Sequence, residues 1–90
     1  MEHRKVYVSV FALFREDGVI LPREIILEDG RHVEIDRIAD MRQAASLKVG
    51  GQGDRYTIWV GGKQNYLFFE RSTEISGPYL GRWFIEATIN

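Results

Sequence analysis

The chain contains no cysteine. Disulfides, zinc–thiolate sites, iron–sulfur clusters and cysteine nucleophiles are therefore excluded by inventory, and the absence fits a reducing compartment. Proline is nearly as scarce, with Pro22 and Pro78 the only two in 90 residues. No run approaches the ~20 apolar residues of a membrane span. The opening Met1-Glu2-His3-Arg4-Lys5 leads into an alternating run rather than the long apolar core of an export signal. Excess charge is missing too, because a formal net charge of −1 argues neither for nor against a nucleic-acid partner. A soluble, cytoplasmic protein with no membrane association is the expectation.

What the chain does have is hairpin punctuation. Glu16-Asp17-Gly18, Glu28-Asp29-Gly30 and Gly61-Gly62 are each set between runs rich in Val, Ile, Phe, Tyr and Trp. Asp-Gly and Gly-Gly supply the positive φ of two-residue hairpin turns, and β-branched and aromatic residues supply the strands. Ninety residues suffice for a single domain spanning 1–90, and eleven aromatics can fill its core without a metal or a staple.

Strands are expected over 6–14, 19–27, 31–35, 56–60, 64–70 and 82–87. Pro22 cannot donate to a ladder, so it belongs at an edge, a bulge or a strand start. Residues 36–47 are ambiguous: Ile38, Met41 and Ala45 match a helical face, whereas Ala39 and Met41 alternate as in a strand. Strand continuing to about Arg42 is expected, with one short helical turn capped by Asp36 as the alternative. Residues 44–54 hold three glycines in four positions and read as a break, and residues 71–81 as a loop. The fold class is all-β, a small antiparallel barrel of five to six strands, SH3-like or OB-like, since closure is how a short β chain avoids open edges.

The order of the segments Ile25-Ile26-Leu27-Glu28-Asp29-Gly30-Arg31, Glu34-Ile35-Asp36-Arg37, 44–53, Arg55-Tyr56-Thr57, Tyr66-Leu67-Phe68-Phe69-Glu70 and Arg82-Trp83-Phe84 resembles a family of short, uncharacterised bacterial proteins. The resemblance spans most of the length. It carries no assigned activity, cofactor or catalytic residue onto these positions.

Charge is unevenly placed. Residues 1–36 carry 5 basic and 8 acidic groups, residues 37–63 carry 5 and 2, and residues 64–90 carry 2 and 3, so the middle third is net +3. That third offers Arg37, Arg42, Lys48, Arg55 and Lys63 beside Tyr56, Trp59 and Tyr66. Single-strand binders combine cations with exposed stacking rings, so the mixture suits nucleic acid. Ordinary β domains, however, place such rings in the core and scatter such cations over a solvated face. Exposure of Trp59 and Tyr66 separates the two.

Lys48 with Gly50, Gly51 and Gly53 has the ingredients of an anion-cradling loop, but the lysine precedes the glycines and no helix follows, contrary to a P-loop. A turn requiring positive φ is the simpler account. His3 lies in the terminus and His32 on the outward face of a strand, and the acidic pairs fall at turns, where solvated acids belong. No catalytic constellation, metal site or cofactor site is expected. The expected function is a non-catalytic interaction module that contacts a protein partner, or a second copy, through a barrel edge or the segment 44–54. The alternative is a nucleic-acid-binding barrel using the basic middle third.

Overall fold

A computed structural model describes residues 2–45, 52–72 and 77–89. Among these residues seven strands form one antiparallel sheet: β1 (Glu2–Phe14), β2 (Ile20–Ile26), β3 (His32–Glu34), β4 (Arg37–Ala45), β5 (Gln52–Val60), β6 (Lys63–Arg71) and β7 (Gly81–Ile89). Their order is β3-β2-β1-β7-β6-β5-β4. The all-β, barrel-like architecture is as expected, and the count of five to six strands rises to seven. No helix occurs among the described residues, so the helical alternative at 36–47 gives way to β4. Nothing described is a helix long and apolar enough to cross a membrane.

Two features curl the sheet into a half-barrel. The first is the length of β1, which pairs with β7 through residues 2–8 and with β2 through residues 9–14, passing from one half of the sheet to the other. The second is the link between the two outermost strands, which are consecutive in sequence. The Ile35 N–H donates to Arg23 O at 3.0 Å and the Asp36 N–H to Trp59 O at 2.8 Å. Adjacent residues thus bond to β2 and to β5, and the sheet must bend until its edges meet there. This corner is what splits β3 from β4.

The acidic turns differ from the two-residue geometry in an instructive way. Arg15 N–H bonds Val19 O and Gly18 N–H bonds Arg15 O, both at 2.9 Å, and Leu27, Gly30 and Arg31 repeat the pattern. Each is a three-residue loop. Within these loops only Gly18 and Gly30 adopt positive φ, near 88° and 87°, and no described non-glycine residue does. A two-residue turn would force Asp into the left-handed region as well, whereas a type I turn followed by a glycine bulge leaves Asp relaxed. The freed Asp17 and Asp29 side chains accept from the N–H groups of Val19 and Arg31 at 3.1 and 3.0 Å. That backbone bond and the Arg31 side chain hold the Asp29 carboxyl below its ordinary value. Gly61-Gly62 is the true two-residue turn, with φ of 57° and 79° between paired Val60 and Lys63.

Pro22 sits where the β1–β2 register shifts, the bulge its missing N–H calls for. The concave face of the half-barrel holds the core, built from Ile25, Ile35, Tyr56, Ile58, Leu67 and Phe69. Tyr56 ties β5 to β2 across it, donating its hydroxyl to Ile20 O at 2.6 Å. Burial raises the pKa of that hydroxyl.

Candidate functional site

Strand alternation sends every second side chain away from this core. On the convex face the pairing register aligns Tyr7 of β1, Phe84 of β7, Phe68 of β6, Arg55 of β5 and Arg42 of β4 in one row across five strands. Phe68 and Phe84 are 2% and 1% exposed although they point away from the main core. Their rings stack at 4.9 Å with 7° between planes, and Tyr7 meets Phe84 edge-on at 6.0 Å. A second, smaller apolar layer therefore lies outside the sheet.

Around it stand three arginines, each over a ring. The guanidinium of Arg37 lies 4.8 Å from the Trp59 centroid, that of Arg55 4.9 Å from Tyr66, and that of Arg82 3.3 Å from Tyr7. Lys5 caps Phe84 at 4.9 Å. Among the described residues Lys5 pairs with Glu70 and Arg42 with Asp40, but none of the three stacked arginines forms an ion pair. The Arg55 Nε is buried and meets no acceptor.

Glu70 organises the β1 side of this face. Its Oε2 accepts from Lys5 Nζ at 3.2 Å and from the Tyr7 hydroxyl at 3.0 Å. Burial pushes its carboxyl up, but those two bonds, with the charges of Lys5 and Arg82, hold it below its ordinary value. A carboxylate depressed on folding contributes stability that is complete above its unfolded pKa and lost as pH falls through the folded one. Glu70→Gln is accordingly expected to flatten the acid limb of the stability curve between about pH 5 and pH 3. Urea titrations across that range check it, and an unchanged acid limb would show the pair to be idle.

The eight candidate residues divide unevenly. Arg37, Arg42, Arg55, Trp59 and Tyr66 share the convex face. Tyr66 is 43% exposed, as a contact ring must be, and Trp59 is half-buried. Tyr56 is a correction: at 2% exposure it belongs to the concave core and packs there against Trp83, ring centroids 5.3 Å apart with the planes tilted by 46°, so no partner can reach it. Lys63 is exposed at the β5–β6 turn, on the register of Leu67 rather than of Tyr66. Lys48 lies outside the described residues, as do positions 46–51 of the glycine-rich segment. The ends of that segment are strand rather than break, with Ala44 opposite Gly53 and Ala45 opposite Gln52. Gly53 has no positive φ; it is glycine because a Cβ would fall 2.6 Å from Phe69 O.

Sequence alone missed Tyr7, Arg82 and the Phe68–Phe84 pair. The available signal was alternation: Lys5 and Tyr7 alternate with Val6 and Val8, and Arg82 and Phe84 with Trp83 and Ile85, so both sets leave the core on the same side.

A second feature lies at the other end of β1. Among the described residues, 9–14 pair with β2 alone, and Phe11, Leu13 and Phe14 there are 56%, 46% and 59% exposed. Elsewhere a groove of about 340 Å³ is lined by Ile25, Leu27, Val33, Ile58, Val60 and Ile85 together with the polar Gln64, Asn65, Tyr66 and Glu86. His32, outward-facing as expected, pairs with Glu24. No cluster of His, Asp or Glu among the described residues could hold a metal ion. No family model, curated protein or solved structure matches the chain.

Proposed function

We propose that the protein is a cytoplasmic, non-catalytic interaction module, and that its contact surface is the arm formed by residues 9–14 of β1 with β2. The observation that carries this reading is the coincidence of a one-sided ladder with three large exposed apolar side chains on six consecutive residues. Unpaired strand edges bearing apolar groups are surfaces that folded proteins cover, and addition of an extended segment supplies both the hydrogen bonds and the side-chain pockets.

Charge selects the kind of partner. Residues 9–36, which contain the arm and both acidic turns, hold 3 basic and 7 acidic groups, a net of −4. An extended protein segment with alternating apolar and basic residues complements that surface. A second copy of the chain would bring the same negative field against itself, so a heterologous partner is favoured over a homodimer.

The test is affinity capture and light scattering on the intact chain and on a Phe11→Ser/Phe14→Ser variant. The expected result is a monomer that retains a basic protein, with retention lost in a variant of unchanged melting temperature. A wild-type protein that recovers nothing, or a variant that captures equally well, would sink the proposal, and a stable homodimer would replace the heterologous partner with a second copy.

A further inference from the structure

We infer that the convex face is a second, independent site that binds single-stranded nucleic acid through Arg37, Arg55 and Arg82 stacked on Trp59, Tyr66 and Tyr7. It does not rest on the β1–β2 arm, which is a separate surface carrying the opposite charge.

The convex face carries Lys5, Arg37, Arg42, Arg55 and Arg82 against Asp40, Glu70 and Glu86. Asp40 is engaged by Arg42, and Glu70 by Lys5 and Tyr7. Glu86 has a partner of its own, and among the described residues the convex-face cations without an ion pair are the three that lie over rings. A guanidinium stacked on an aromatic face keeps its N–H donors in its own plane, directed sideways, and its outer face bare. Phosphate oxygens accept from the edge of such a group while a base stacks on its far side. Tyr7 and Tyr66 are 38% and 43% exposed and so present ring surface beside their arginines.

The arrangement is also held in advance. Tyr7 is fixed by Phe84 and by its bond to Glu70. Arg55 lies opposite Phe68 with its Nε buried, so the root of its guanidinium is held against the sheet. From Tyr7 to Arg55 the row crosses three inter-strand steps, about 14 Å, and Arg37 with Trp59 extends it along β5. That span suits several nucleotides, at the lower end of the roughly 4–16 that small barrels accommodate. Single strands are favoured over duplex because rings and guanidinium planes meet base faces, which a duplex conceals.

Fluorescence anisotropy with a labelled 12-nucleotide oligothymidylate and its oligouridylate counterpart, measured against salt, decides it. Three phosphate contacts predict a log–log salt slope of about −2. Arg37→Ala and Arg82→Ala are each expected to weaken binding about five- to tenfold at unchanged melting temperature, and Arg82→Lys to recover only part of it, since a lysine restores charge without the stack. Phe11→Ser/Phe14→Ser should bind as wild type, which separates this site from the arm. Absence of binding at low salt overturns the inference. So does an affinity indifferent to the arginine variants, or equal affinity for an acidic peptide of matching charge, which would make the face a protein contact instead.

Discussion

Phe84→Ala is expected to destabilise the fold by about 3–5 kcal/mol, enough to consume most of the stability of a typical small domain. The ring is 1% exposed, yet it faces away from the concave core, so nothing in that core can move into the space it leaves. Its neighbours are Phe68, stacked at 4.9 Å, Tyr7, edge-on at 6.0 Å, and Lys5, over the ring at 4.9 Å. Alanine removes the transfer free energy of the ring and leaves a cavity beside a stacked partner that has lost its mate. The damage also reaches the candidate nucleic-acid face, because Tyr7 leans on Phe84 and Arg82 leans on Tyr7. Urea denaturation measures the loss directly. Phe84→Leu, which keeps apolar volume, should cost clearly less and leave a folded protein in which the Arg82–Tyr7 stack can be probed by tyrosine fluorescence. A loss of a few tenths of a kcal/mol in the alanine variant would mean that the outer layer does not hold the sheet.

Most of the fold was legible in the sequence because alternation and glycine-bearing turns are local signals. Val33 and Ile35 turning inward, Gly61-Gly62 closing β5 to β6, and Pro22 marking a bulge all follow from residues within a few positions of one another. What was not legible depends on pairing. That Ile35 and Asp36 bond to β2 and β5 respectively is a property of the curled sheet, and it converts one expected strand into β3 and β4. That Tyr56 is core while Tyr66 is exposed depends on which face of the sheet closes, although both are aromatic residues in paired strands. The convex row draws Tyr7 and Arg82 from opposite ends of the chain, where neither belongs to a basic cluster. A charge count over the middle third therefore found Arg37 and Arg55 and could not find their companion.

Gly81→Ala should cost about 2–3 kcal/mol, near the upper end of ordinary overpacking, and for a reason unlike that of Phe84. Gly81 was expected at the end of a loop; it begins β7, paired with Arg71, and its φ is not positive. The position is glycine because of close approach. A Cβ there would lie 2.5 Å from Glu70 O and 2.7 Å from Phe69 Cζ. The first obstacle is backbone within the ladder and the second is a ring 8% exposed in the core, so neither is free to yield. Relief requires the β6–β7 pair to part at its end, which moves the residue whose side chain anchors Lys5 and Tyr7. Gly53 presses on the same stretch from β5, its Cβ position 2.6 Å from Phe69 O. The two glycines thus press on adjacent peptides of β6, Gly53 on Phe69–Glu70 from β5 and Gly81 on Glu70–Arg71 from β7. Each alanine should push β6 toward the strand that carries the other glycine, so the double variant is expected to lose more than the sum of the singles, a coupling that distant sites would not show. Gly18→Ala provides the contrast, since open space surrounds it and only its positive φ is violated, at about 1 kcal/mol. Thermal or urea unfolding of the four variants orders them. A Gly81→Ala protein as stable as Gly18→Ala would show that β6 and β7 do not approach so closely, and strictly additive losses would show that Gly53 and Gly81 act on separate parts of the sheet.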